Sequence, residues 1–280
     1  MPSVSTAGTQ VATAKVSGLR KVSGPRALQC LYVTVFVGFL LAPLIVVIGA
    51  SFDPRALLRF PPHGISPRWY VAALHSPFMS AARLSLTVAV LATVSALVLG
   101  VPAAWALARF EFPAKTFVNS LLSAPLLVPQ LVIGVTLLQI FAGLHLGASV
   151  ITLALAHILI TLPYVIRIIH ASILGVDVSI EEAASNLGAN RLRVYLTIVL
   201  PVIRPALYSA ALFAFLVSFD DAVVALFLVS GATTTLPIAI YTYVQYDLDP
   251  TIAAISSMLI VVSVALMYVA RKLAPIDRLT

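Results

Sequence analysis

The chain has 280 residues, of which 61% are hydrophobic and only 10% charged, where a soluble domain averages about 25% charged residues. Too few charges remain to cover a water-facing surface, so lipid is the expected solvent for much of the chain. The net charge of +7 does not argue for nucleic acid, because the basic residues sit at the ends of apolar segments and no basic stripe with interleaved aromatics occurs.

Residues 1–26 read as a disordered cytoplasmic tail: the stretch is rich in Ser, Thr, Ala, Gly and Val and carries Lys15, Arg20, Lys21 and Arg26 without an acid. The apolar run after Arg26 is too long for a signal-peptide core, so the first span is expected to be uncleaved. Cys30, the single cysteine of the chain, opens that run and reads as a small apolar residue. Six segments are apolar over the roughly 20 residues that a span requires: 28–51, 82–108, 118–142, 147–170, 206–229 and 252–270. The fold class expected is therefore all-α, a polytopic helical membrane protein with one domain over 27–273 and a short cytoplasmic tail at 274–280.

The distribution of Lys and Arg sets the expected orientation. With the N-terminus inside, thirteen basic residues fall on the inner side and four, Arg55, Arg59, Arg68 and Arg83, on the outer. That asymmetry satisfies the positive-inside rule and puts both termini in the cytoplasm. Two connections are long, 52–81 outside and 171–205 inside, and a third at 230–251 has room for a short helix.

The inner connection carries the clearest local grammar. Residues 177–205 read DVSIEEAASNLGANRLRVYLTIVLPVIRP. Ser179 followed by Glu182 predicts a capping box, with about two helical turns over 180–187. Gly188 stands where a helix end needs positive φ. Asn190 is placed to cap a second helix over 191–199, and Pro201 and Pro205 precede the fifth span. On the residues alone, such a hairpin is either a docking knob for a partner or a linker lying along lipid headgroups.

Glu182-Ala183-Ala184, Gly188 four residues after Ala184, then Ile198, Leu200 and Pro201 resemble the EAA motif of binding-protein-dependent ABC importer permeases. Seven specified positions over twenty residues agree in type and spacing. The resemblance extends over about 28–272 through FPP…SPRWY, ALARFEFPAK, PLLVPQLVIG, SFDDAVVALF and TTTLPIAIY, which are similar to the second permease subunit of spermidine/putrescine-type importers. It implies a type I importer permease fold in the bacterial inner membrane. It also implies that Glu182, Ala183, Ala184, Gly188, Ile198, Leu200 and Pro201 couple to an ATPase. The implied partners are an ATPase subunit dimer, a second permease and a periplasmic solute-binding protein, with ATP held by the ATPase and no cofactor here. A polyamine is the implied cargo; an opine, an amino-acid derivative or a phosphonate is the alternative within the same class.

Polar residues inside apolar segments are the candidates for a solute path. Asp220 and Asp221 lie in the fifth span, where an acid costs about 2.5–3.5 kcal/mol and needs water, a cation or a proton. Either they meet a cationic solute or they serve a structural hydrogen bond or a helix end. Pro125 and Pro129 free backbone carbonyls in the third span, and Gln130, Thr136 and Gln139 follow; path lining and helix packing both account for these. His157 is alone in the fourth span and reads as a packed or hydrogen-bonded histidine. Tyr241, Tyr243 and Tyr246, near Asp247 and Asp249, read as an interfacial aromatic belt.

The sequence lacks G-x-x-x-x-G-K-[ST], G-x-S-x-G, H-E-x-x-H and C-x-x-C. No phosphate cradle or nucleophile motif argues for an enzyme, and energy would have to come from a partner chain. A stand-alone secondary transporter is the rival class, and it would need coupling-ion ligands in the spans and usually repeated halves. An intramembrane enzyme is the other, and it would need a nucleophile and base at one depth.

Overall fold

The computed structural model describes residues 25–75, 77–231, 233–246 and 249–273. Of the tail expected to be disordered at 1–26, residues 1–24 lie outside them, as do the end at 274–280 and Asp247, while Pro25 and Arg26 belong to a helix. The described residues are helical with no strand. The chain divides into two compact units, Met1–Pro43 and Leu44–Thr280. Helix α1 (Pro25–Ala50) runs from the first unit into the second and carries Pro43 inside it.

In the second unit, α2 (Arg68–Leu74) follows an ordered connection. Asp53 is buried there. Its carboxylate accepts the backbone N–H of Arg55 at 2.9 Å and of His63 at 3.3 Å, and its carbonyl accepts the Trp69 indole N–H at 2.8 Å. Helix α3 (Phe78–Arg109) is 32 residues long, about 48 Å at 1.5 Å per residue. It ends at extended Phe110, shortly before Pro113. Its buried residues are largely small, including Ala89, Ala92, Ala96, Gly100 and Ala104, which lets another helix approach closely. The neighbour is α6 (Val150–Leu174). A Cβ added at Gly100 would sit 2.9 Å from Val165 Cγ1. Helix α6 begins with a capping box in which Ser149 and Thr152 each accept the other's backbone N–H.

The third expected span, 118–142, is not one straight helix. Helix α4 (Lys115–Ser123) and a 3-10 turn (Ala124–Leu126) meet α5 (Gln130–Gly143) at a bend of 100°. Pro125 and Pro129 lack the N–H groups that would bond Leu121 and Pro125, and a proline restricts the residue before it away from the α region. The fifth expected span, 206–229, is likewise interrupted. Helix α10 (Arg204–Asp220) stops at Asp220, Asp221 is extended, and a short α11 (Ala225–Leu228) follows. On the other side, the helical stretch 191–202 meets α10 at a bend of 74°. Among the described residues, four helices are long and apolar enough to cross a membrane, and up to six if each bent pair counts as one span.

The connection at 230–251 does hold a helix, α12 (Leu236–Tyr246), before α13 (Thr251–Leu273). One apolar cluster joins α3, α6, α10 and the hairpin after α6; a second joins α3, α5, α6, α11 and α12; a third joins α2, α3, α12 and α13.

Candidate functional site

The hairpin at 177–202 is built by local signals. Helix α7 (Val178–Asn186) is capped by Asp177, whose carboxylate accepts the Ser179 N–H at 2.9 Å. Expectation had placed the cap on Ser179 with Glu182; the aspartate two residues earlier takes the role, and Ser179 lies inside the helix. The Ser179 N–H holds the Asp177 carboxyl below the ordinary aspartate range. At the far end Gly188 has φ of +91°. The N–H of Ala189 reaches Ala184 O at 3.0 Å and that of Gly188 reaches Ser185 O at 2.9 Å. This pair of bonds is a Schellman motif, and it satisfies carbonyls that a helix end otherwise leaves free.

Asn190 caps α8 (Arg191–Val194), accepting the Arg193 N–H at 2.8 Å. The second helix is not the uniform 191–199 expected. After one α turn the backbone widens to a π turn (Tyr195–Val199), then closes again in α9 (Leu200–Val202). Pro201 lies next to this widening and cannot donate to Thr197 O, which removes one α bond from the stretch.

The seven motif residues divide by exposure. Glu182, Ala183 and Gly188 are exposed, while Ala184, Ile198 and Leu200 pack against the cluster shared with α3 and α6, and Pro201 is half-buried. Leu187, between the helix end and Gly188, is 90% exposed. An apolar side chain left so open at a rigid turn is an available contact for another surface.

Beneath the hairpin lies a cavity of about 400 Å³ bounded by Trp105, Arg109, Phe110, Glu181, Glu182 and Arg191. Trp105 lies tilted against Tyr195 with ring centres 4.4 Å apart, and the Arg191 guanidinium lies 5.1 Å over the Phe110 ring. Arg109 Nε donates to Glu181 Oε1 at 2.8 Å. Neither residue belongs to the EAA positions, and 72 positions separate them, so no local pattern pairs them.

A second polar locus lies where α10 stops. Asp221 accepts the N–H of Ala225 at 2.9 Å and of Val224 at 3.4 Å, so its carboxylate caps the turn that follows the break. His157 Nε2 stands 3.7 Å from Asp221 Oδ2 and makes no hydrogen bond. His157 Nδ1 pairs with Ser218 Oγ at 2.7 Å. His157, Ser218 and Asp221 are all buried. The junction ties α6 to the end of α10, as expected of a hydrogen-bonded histidine. Asp220 points elsewhere: it is exposed, and its carboxylate has no hydrogen-bond or ion-pair partner among the described residues. Pro129, Gln130, Thr136 and Gln139 are exposed too. Tyr243 donates to Asp249 Oδ2 at 3.0 Å and meets Phe78 edge to face. Among the described residues no three His, Cys, Asp or Glu side chains gather closely enough to hold a metal ion.

Residues 96–275 match the family described as binding-protein-dependent transport system inner membrane component. The chain is 36% identical over 230 residues to the putrescine transport system permease protein PotI of Escherichia coli (strain K12), covering 79% of this chain and 82% of that relative. It is 30% identical over 252 residues to the spermidine/putrescine transport system permease protein PotC of the same strain, covering 89% and 94%. Among solved structures, a chain of a bacterial ABC transporter involved in the import of the acidic polysaccharide alginate superposes with a TM-score of 0.73 over 91% of this chain and 99% of that one, at 17% identity. At that identity the likeness shows the fold.

Proposed function

This chain belongs to the family of binding-protein-dependent transport system inner membrane components, a membrane permease, and on that premise we propose that it is one of two permease subunits of an ATP-driven polyamine importer. The observation that carries the coupling role is the hairpin. The seven motif positions lie on capped α7, on the Gly188 turn and on the π turn and α9 that follow capped α8, with Glu182, Ala183 and Leu187 turned outward. A shape held by caps and a Schellman turn loses little conformational entropy on docking, which favours tight seating in a partner groove. The partner is a separate ATPase dimer that binds the ATP. In this reading the hairpin and both termini face the cytoplasm, consistent with the excess of Lys and Arg there. A second permease completes the path, and a soluble receptor delivers the solute from outside.

A cationic cargo is supported by two relatives named for putrescine and spermidine and by the unpaired, exposed carboxylate of Asp220. Pro129 and Gln130 are exposed at the α4–α5 bend, where the Gln130 side chain supplies an amide for the same path. Asp221 serves that path by holding the break that sets Asp220 at a helix end.

The test is reconstitution of the chain with its ATPase, second permease and receptor in liposomes. ATP-dependent uptake of labelled putrescine or spermidine is expected. Uptake by the chain alone, without the ATPase, would overturn the coupling role; ATP-dependent uptake of a different solute with none of either polyamine would overturn the cargo.

A further inference from the structure

Arg109 ends α3, and its guanidinium is held by two other segments through Nε and Nη2. Nη2 donates to Ile173 O at 2.9 Å, in the last turn of α6, and to Val176 O at 2.8 Å, just past the helix end. Nε donates to Glu181 Oε1 on α7, and Nη2 lies 2.7 Å from the same oxygen. The two side chains are only 12% and 13% exposed. One planar cation thus joins three elements, with one carbonyl of α6 and one just past its end holding it in place whether or not Glu181 is present.

Helix α7 has little else to hold it. None of its residues is fully buried. Among the described residues, no other α7 side chain makes an ion pair or hydrogen bond to another element; Ser185 bonds only to Glu181 O in its own helix. Its apolar attachment is Ala184, beside Ala189 of the Schellman turn. The covalent route from α7 to α10 passes through Gly188, a four-residue helix, a π turn and the 74° bend. A chain with that many changes of direction transmits a push poorly. By contrast α3 and α6 are packed against each other through buried alanines, valines and isoleucines.

We propose that Arg109 is a positioning residue that makes α7 move with the α3–α6 pair, so that motion of α7 reaches the membrane through the Arg109–Glu181 link and not through the connection to α10. The inference rests on the reading that the hairpin docks an ATPase. Glu181 is the releasable partner, and its neighbour Glu182, one position on and exposed, remains free for the docked surface.

The experiment uses the full transporter in lipid nanodiscs with receptor and solute, in a Cys30→Ser background. The unsubstituted chain must first retain the ATPase through purification; if it does not, the docking reading fails before any variant is compared. Glu181→Gln is expected to retain the ATPase and its basal hydrolysis. Receptor-stimulated hydrolysis and uptake should fall about fivefold or more. In the pair Arg109→Cys with Glu181→Cys, stimulation should be lost and then restored when the two thiols are joined by a short cleavable reagent, and lost again on cleavage. Wild-type stimulation in Glu181→Gln would overturn the proposal. So would a joined pair that stays unstimulated, or loss of ATPase retention in Glu181→Gln, which would make the residue part of the docking surface itself.

Discussion

Replacing Gly188 by alanine isolates backbone strain from packing. Gly188 has φ of +91°, and a Cβ there would meet nothing within 4 Å. The cost is therefore the left-handed conformation alone, about 1–2 kcal/mol for a residue with a Cβ. That is a factor of roughly 5–30 in the population of the closed turn. Opening releases the Ala189 N–H from Ala184 O and the Gly188 N–H from Ser185 O, so amide exchange at 188 and 189 reads the effect directly, with ATPase retention as the functional counterpart. Asparagine tolerates positive φ better than alanine, and a β-branched valine tolerates it worst. The expected order of protection is Gly, Asn, Ala, Val. Gly231 also faces open space but has no positive φ, so Gly231→Ala should be silent in both assays. Wild-type protection in Gly188→Ala, or valine better than alanine, would refute the argument.

Leu187→Asp should leave thermal stability unchanged, because the side chain is 90% exposed, while weakening ATPase association by about tenfold or more, since a buried leucine contributes about 1.5–3 kcal/mol; unaltered retention would remove Leu187 from the docking face. The two adjacent acids should separate: Asp220→Asn keeps the fold and lowers polyamine uptake, whereas Asp221→Asn lowers thermal stability in detergent by weakening the caps on Val224 and Ala225. Equal stability of both variants would contradict this assignment. Ser218→Ala, which strips a buried partner from His157, should cost about 1–3 kcal/mol. Ser209→Ala, whose hydroxyl is exposed and bonds only within its own helix, should cost far less. For Asp177, the depressed pKa means that the cap is present above the ordinary aspartate value and is lost as pH falls through the lower folded one. Protection of the Ser179 amide should be flat above about pH 5 and fall below about pH 4, and Asp177→Asn should flatten the curve; a fall near neutrality would show another group at work.

Short-range features were legible because their partners lie within a few residues. The apolar lengths of α1, α3, α6 and α13, the glycine turn at 188 and the Asn190 cap all follow from residue type and spacing over one or two turns. Even there, two neighbouring cap candidates competed: Asp177 outranked Ser179 through its position relative to the first free N–H groups. Pro125 and Pro129 stood inside a stretch read as one span, and Pro201 and Pro205 at the entry to another; only the fold shows bends of 100° and 74° beside them. For Asp220 and Asp221 the sequence left a cationic solute, a structural hydrogen bond and a helix end open; in the fold Asp221 caps the turn after a helix break, while Asp220 is exposed.

The contacts that organise the site were not legible at all. Arg109 and Glu181 are 72 positions apart, and His157 and Ser218 are 61 apart. Which side chains meet at such separations depends on the rotation and axial offset of one helix against another. Apolar composition leaves both free, and close packing of α3, α6 and α10 sets them. Propensity, capping and hydropathy dictated where helices begin, end and enter lipid; the mutual register of those helices selected the ion pair and the buried histidine.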